Sequence, residues 1–143
     1  MRLFTPEPLL VPRETMEKCI IDGYEVQPET LVYVNPWGIA RDPETWENPD
    51  EFWPERFLNS DVELKGQGFS LIPFGSRGRS CPGYSLGLLT VHLLLANLLN
   101  FFDWELPSGM NTDDIDTEAW PGLTLNKRDA LKLVPRICVK SPM

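Results

Sequence analysis

The stretch Phe74-Gly75-Ser76-Arg77-Gly78-Arg79-Ser80-Cys81-Pro82-Gly83 runs directly into an uncharged segment, residues 83–102, that ends at Phe102. Gly75, Gly78 and Gly83, spaced three and five residues apart, make the first part a loop. It delivers Cys81 just ahead of Pro82, and proline favours the first helical turn. At about 100° per residue, Leu88, Val91, Leu94, Leu95, Leu98, Leu99 and Phe102 cover one half of a helix. Ser85, Thr90, His92, Asn97 and Asn100 fall on the other half, mixed with Leu86, Leu89 and Leu93. The run is nearly the roughly 20 residues a membrane span requires. Its polar residues gather on one side and no basic flank marks an inner face, so a buried core helix is expected.

This reading puts Cys81 at a helix N-terminus. Free backbone N–H groups and the helix dipole favour an anion there, and Arg77 and Arg79 add positive charge. These effects favour a thiolate able to react or to bind a soft metal. One thiolate cannot build a zinc site unaided, but it suffices as an axial ligand of heme iron. A buried structural thiol is the plainer alternative for any lone cysteine.

Working outward, residues 61–83 read as loop. Residues 36–60 are rich in proline, aromatics and charge, and Asp42-Pro43 and Asn48-Pro49 are turn or short-helix starters. Trp37, Trp46, Phe52, Trp53 and Phe57 read as one packed aromatic cluster. Residues 19–35 alternate weakly, with Asp22-Gly23 as a hairpin turn and a strand over residues 31–34. Pro6, Pro8 and Pro12 keep residues 1–18 extended. After the helix, residues 103–143 read as loop with strands at 123–125, 131–134 and 137–139.

Composition bounds the rest. Of 143 residues, 14 are proline, about twice average usage, which argues against a helical bundle. The apolar share of 42% is enough for a core and argues against disorder. Net charge is −8, so nucleic acid is not an expected partner. His92 is the single histidine, which excludes multi-histidine metal sites, and it reads as an ordinary helix residue. Cys19, Cys81 and Cys138 are too few and too far apart for a disulfide framework or a paired-cysteine zinc site. Cys19 and Cys138 read as core or surface thiols. No secretory signal is readable in the first residues.

The loop resembles the heme-binding loop of the cytochromes P-450, a Phe-x-x-Gly-x-Arg-x-Cys-x-Gly pattern matched by Phe74, Arg79, Cys81 and Gly83. Phe52-Trp53-Pro54-Glu55-Arg56-Phe57 resembles the family's Pro-Glu-Arg-Phe segment, with Arg41-Asp42-Pro43 and Trp46 ahead of it. Met1-Arg2-Leu3 resembles the end of the Glu-x-x-Arg helix motif, and residues 5–14 the segment after it. Phe102-Asp103-Trp104-Glu105-Leu106-Pro107 and Pro121-Gly122-Leu123-Thr124 resemble the endings of plant microsomal members. In one departure, Arg77 stands where the family has a glycine, which lets the backbone turn without a side chain.

The resemblance implies an α+β fold, the C-terminal portion of the cytochrome P-450 fold, as part of a single domain. Its parts are an extended β segment (1–35), a meander (36–60), the heme loop (69–83), one long buried helix (83–102) and a C-terminal loop with strands (103–143). It implies heme b as cofactor, with Cys81 as axial ligand and Phe74, Gly75, Arg79, Gly83 and Arg13 as cofactor-binding residues. Arg79 and Arg13 are then propionate ligands. Arg2 and Arg56 are structural, and the Glu they pair with in the family falls ahead of Met1, which leaves both without that carboxylate. Leu9, Leu10, Val11 and Leu123 either line a substrate pocket or pack a core. The implied activity is a monooxygenase of plant secondary metabolism that inserts one atom of O2 into an apolar small molecule. Electrons come from NADPH-cytochrome reductase, which Lys65, Arg77 and Arg79 would help to dock. The implied location is the endoplasmic reticulum membrane, cytosolic face, with the anchor, the oxygen-handling helix and most of the pocket outside these residues. The alternative is an inactive truncated fragment with at most weak heme binding. A thiol-redox module is disfavoured because no resolving cysteine lies near Cys81.

Overall fold

The computed structural model describes residues 1–62, 64, 66 and 68–138. They divide into two compact units, Met1–Cys81 with Pro121–Leu125, and Pro82–Trp120 with the chain from Asn126 onward.

The first unit is built from short strands and turns. Strand β1 (Arg13–Glu14) pairs antiparallel with β4 (Leu31–Val32), Arg13 opposite Val32. Between them β2 (Cys19–Ile21) and β3 (Tyr24–Val26) form a hairpin, Cys19 opposite Val26. Its turn residues Asp22 and Gly23 both have positive φ, 48° and 81°, which the tight two-residue hairpin turn demands. The strand expected over 31–34 stops at Val32, because Pro36 opens α1 (Pro36–Ile39) and Asn35 caps it through Oδ1 to the Gly38 N–H (2.8 Å).

The two Asx-Pro steps are turns. Trp46 N–H donates to Asp42 O (2.8 Å), and Glu51 N–H to Asn48 O (3.0 Å). A 3₁₀ turn, Pro54–Phe57, follows. The small core gathers Ala40, Trp46 and Leu71, with Val62 and Leu64 against it. The expectation of one packed aromatic cluster needs correction. Only Trp46 is buried; Phe57 meets its ring at 5.9 Å, while Trp37, Phe52 and Trp53 keep exposed faces. Trp37 and Trp53 are covered instead by guanidinium groups, Arg41 at 4.3 Å and Arg56 at 5.0 Å from the ring centroids.

The second unit holds helix α2 (Tyr84–Phe101) and two antiparallel pairs. Strand β5 (Phe102–Glu105) continues from the helix and pairs with β8 (Val134–Ile137), Phe102 opposite Ile137. Strand β6 (Ala119–Trp120) pairs with β7 (Asn126–Lys127). Phe102 was expected to end the helix and residues 103–105 to be loop, yet the alternation of Phe102 and Trp104 with charges suits a strand. Residues 123–125 are not a strand: Pro121-Gly122 starts a turn, and Leu125 N–H is drawn to Pro6 O (2.8 Å) within the first unit. Of the expected strand 131–134 only Val134 is one, and of 137–139 only Ile137. Val139 lies outside the described residues.

Helix α2 matches the expected span within one residue at each end, but none of its residues is buried. The expected buried helix is corrected on that point. Thr90 Oγ1 donates to Leu86 O (2.8 Å) and Asn97 Nδ2 to Leu93 O (2.7 Å). These bonds turn polar groups back onto the helix. Leucines lie on both halves, so no polar face remains to meet water, and the unit's short hairpins are too small to cover the rest. Its 18 residues and mean hydropathy of 1.4 make it long and apolar enough to cross a membrane by length and composition.

Candidate functional site

The Cys81 loop is a closed backbone structure. Cys81 N–H donates to Phe74 O (2.8 Å), joining the first and last residues of an eight-residue turn. Between them, Gly75 has φ of 73° and its N–H donates to Ile72 O (3.0 Å). Gly75 is buried, and a Cβ there would lie 3.2 Å from Arg79 O and 3.8 Å from Arg13 Nη2. Glycine is required at 75 on both counts, conformation and space. Residues Arg77–Arg79 form one 3₁₀ turn. Ser80 N–H and Oγ both donate to Arg77 O, at 3.1 and 2.8 Å. The Cys81 side chain is exposed, and none of the three cysteines is in a disulfide.

Arg77 has φ of 53°. The position takes the left-handed conformation that the family's glycine takes freely, at a cost of about 1–2 kcal/mol for an ordinary residue. Its guanidinium lies 5.2 Å from the Phe69 ring centroid. Residue 66 is also tied in: Ser76 Oγ donates to Gly66 O (3.2 Å), and a Cβ on Gly66 would meet Ile72 Cγ2 at 2.8 Å and Gly75 O at 2.9 Å. Sequence reasoning passed over Gly66, Phe69, Ser76 and Ser80 as loop. Only the glycine carries a signal, and the same signal is spread over five glycines in that stretch.

Of the expected cofactor residues, Phe74, Gly75, Arg79, Cys81 and Arg13 all belong to the first unit. Arg13 is brought to the loop by β1, which sets its guanidinium beside Gly75. Gly83 is the N-cap of α2. The helix therefore starts three residues after Cys81, and Pro82 lies outside its first turn; the expectation of Cys81 at the helical N-terminus is corrected accordingly. Gly83, with φ of −84° and ψ of 0°, ends the loop in a turn before the helix can begin. An exposed thiol with two nearby guanidinium-bearing segments fits a heme whose iron takes one sulfur and whose propionates take cations. Among the described residues no group of three or more His, Cys, Asp or Glu is gathered for a metal ion.

Leu9 and Val11 are exposed, whereas Leu10 is buried with φ of 52°. Leu123 is exposed in the Pro121–Leu125 segment of the same unit. The His92 side chain lies on the exposed surface of α2. Lys65 lies outside the described residues.

Arg2 and Arg56 were expected without the family's carboxylate, and both are held by other partners. Arg2 is buried, and its guanidinium donates to Ala40 O (2.7 Å), Pro49 O (2.6 Å) and Glu51 O (3.1 Å). It also lies over the Trp46 ring at 5.2 Å. Arg56 donates to the carbonyls of Glu47 (2.6 Å), Asn48 (3.1 Å) and Trp53 (3.2 Å). Backbone carbonyls, turned inward by the two Asx-Pro turns, do for both arginines what a carboxylate does elsewhere. Burial, then repulsion from Arg56 and Arg41, holds the Arg2 pKa below its ordinary value. Arg41 completes the group, pairing with Asp50 (3.2 Å) and donating to Leu3 O (2.7 Å).

Known proteins are similar to this chain. The chain is 55% identical over 135 residues to cytochrome P450 71B37 of Arabidopsis thaliana, covering 94% of this chain and 27% of that one. It is 54% identical over 142 residues to 6,7,8-trihydroxycoumarin synthase of Pastinaca sativa, covering 95% and 28%. A zebra fish cytochrome P450 solved with abiraterone aligns with a TM-score of 0.78 at 32% identity, over 94% of this chain and 30% of that one. The chain thus spans between a quarter and a third of the length of these proteins. The family profile described as Cytochrome P450 matches residues 1–133, and on that match the chain belongs to the cytochrome P450 family.

Proposed function

We propose that the chain is the heme-thiolate part of a monooxygenase, with Cys81 as the axial ligand of heme b. The observation that carries this reading is the closed loop itself: an exposed thiol whose own N–H is bonded to Phe74 O, beside a buried Gly75 that Arg13 approaches. Arg79 and Arg13 hold the propionates. Phe74 packs near the sulfur, and Gly75 and Gly83 keep side chains out of the turn. When bound, the heme supplies transfer of one atom of O2 to a substrate, favoured by electron density from the thiolate. Leu9, Val11 and Leu123 face that substrate, an apolar small molecule, while Leu10 belongs to the core. The relative named for a trihydroxycoumarin supports a role in plant secondary metabolism. Electrons come from NADPH-cytochrome reductase, docked by cations that include Lys65, Arg77 and Arg79. The whole protein sits at the endoplasmic reticulum membrane, on its cytosolic face.

A second reading, that these 143 residues alone do not catalyse, is favoured by one observation: α2 has no buried residue. An apolar helix without a covering surface promotes association rather than a finished active site.

One experiment addresses both readings. The chain is expressed with heme, and the spectrum of the reduced, carbon-monoxide-bound form is recorded. A thiolate-type Soret band that disappears in Cys81→Ala is the expected result. Heme uptake that survives Cys81→Ala unchanged would overturn the ligand assignment, and no uptake at all would favour the second reading.

A further inference from the structure

We propose that Arg77 is a positioning residue for the Cys81 loop, acting through the ring of Phe69. Position 77 has φ of 53°, a conformation that glycine adopts freely and arginine does not. An arginine held there against its preference needs a compensating contact, and its guanidinium has one, 5.2 Å from the Phe69 centroid. Phe69 is itself left-handed, with φ of 60°, so both partners hold unfavourable backbones at this contact. The neighbouring residue makes a parallel link, since Ser76 Oγ donates to Gly66 O (3.2 Å). Residues 76 and 77 thus fasten the Cys81 loop to Gly66 and Phe69, one by a hydrogen bond and one by a cation–π contact. The gain is passed on through Arg77 O, which accepts both Ser80 N–H and Ser80 Oγ immediately before Cys81. A glycine at 77 would keep those two bonds and lose the fastening. The loop that presents the thiol is therefore set before any ligand arrives.

The inference rests on the heme reading only for its second measurement. The first is amide hydrogen exchange at Cys81 in the full chain without heme, because that N–H is bonded to Phe74 O and exchanges when the loop opens. Arg77→Gln, which loses the cation and keeps the same left-handed backbone constraint, and Phe69→Leu should each speed exchange about two- to fivefold, the range of a single solvent-facing cation–π contact. The double variant should be no faster than the quicker single one. Arg77→Lys should restore most of the protection and Arg77→Gln should not. Lys and Gln meet the same backbone constraint, so a general loss of fold cannot produce that difference. The second measurement is the share of thiolate-type Soret band in the reduced carbon-monoxide form, which should fall in Arg77→Gln and recover in Arg77→Lys. Slower or unchanged exchange in Arg77→Gln, or Gln behaving as Lys, would overturn the proposal. If no variant takes up heme, the heme reading fails and the exchange rates still decide the role of Arg77.

Discussion

The meander with its Cys81 loop and the helix α2 hold their chains in opposite ways. In the meander the apolar core is small, and order comes from polar groups that satisfy one another. Arg2 alone reaches three backbone carbonyls, and Arg56 reaches three more at 3.2 Å or closer. In α2 Thr90 and Asn97 bond back to the helix itself, and nine large apolar side chains stand exposed: Leu86, Leu89, Val91, Leu93, Leu94, Leu95, Leu98, Leu99 and Phe101. Fully burying one such side chain is worth about 1.5–3 kcal/mol, so burial forgone along α2 is on the order of 10 kcal/mol. That is comparable with the whole stability of a typical domain. Irregular backbone can be completed locally by a few well-placed cations. A leucine-rich helix is completed only by a surface of similar area.

The sharpest way to break this contrast is Arg2→Leu. If the meander is held by its arginines, the change leaves the carbonyls of Ala40 and Pro49 without their short partners, and Glu51 O with only a longer bond from Arg56 at 3.4 Å. A buried acceptor left unmade costs about 1–3 kcal/mol and a part-buried one less; with the Ala40 bond buried and the other two part-buried, a loss of about 2–4 kcal/mol is expected. Amide exchange at Ala40 and Trp46 in the full chain reads it. A silent Arg2→Leu would mean that the small apolar core suffices. Next in size is Gly66→Ala. Its Cβ would meet Ile72 Cγ2 at 2.8 Å and the Gly75 carbonyl at 2.9 Å, with φ already at 69°. About 2 kcal/mol of destabilisation is expected from strain and overpacking, read by the same exchange and by a lower thermal midpoint.

A smaller effect sharpens the contrast inside the second unit, where charge does hold one pair of strands. Asp116 Oδ1 accepts Glu118 N–H (2.6 Å), and Arg128, which also pairs with Glu118, lies 3.4 Å from Asp116 Oδ2. The Glu118 N–H first, then Arg128 and Lys127, keep the Asp116 carboxyl below the ordinary carboxylate range. A lowered folded pKa gives stability that is present above the unfolded value of about 3.9 and is lost as pH falls through the folded one. The β6–β7 pairing should therefore weaken below about pH 4, followed by the chemical shifts of Ala119 and Trp120. Asp116→Asn should flatten that dependence, and an unchanged profile would remove Asp116 as its source.

The two regions also differ in what the sequence alone discloses. The hairpin at Asp22-Gly23, the Asx-Pro turns and the span of α2 were legible, because turn chemistry and the absence of charge are local signals. Cys81 was singled out by its glycine-rich loop and flanking arginines, whereas Gly75 and Arg13 were singled out only by the family pattern, and the structure sets Arg13 beside Gly75 through a strand pair that its neighbours in sequence do not announce. The partners of Arg2 and Arg56 were not legible, since a backbone carbonyl has no letter of its own. The burial of α2 was misjudged for a related reason. Apolar composition states what a helix needs, whereas burial depends on what surface is there to meet it.

That last distinction can be tested on α2 at small cost to the chain. Leu94 and Leu98 are 57% and 41% exposed and lie one turn apart. Replacing them together as Leu94→Glu with Leu98→Lys puts an acid four residues before a base, which favours an isolated helix by about 0.2–0.5 kcal/mol. If α2 is uncovered, the pair should change stability by no more than about 0.5 kcal/mol, since little burial is there to lose. Aggregation and the binding of an apolar dye should both decrease as the exposed patch is interrupted. If α2 were packed against other apolar surface, each substitution would cost about 2–5 kcal/mol, as loss of a core leucine does, and would bury a charge besides. The same double substitution in a full-length relative, at the positions aligned with Leu94 and Leu98, supplies the comparison. A near-neutral result here beside a collapse there would show that the helix sequence is written for a covering surface these residues do not themselves provide.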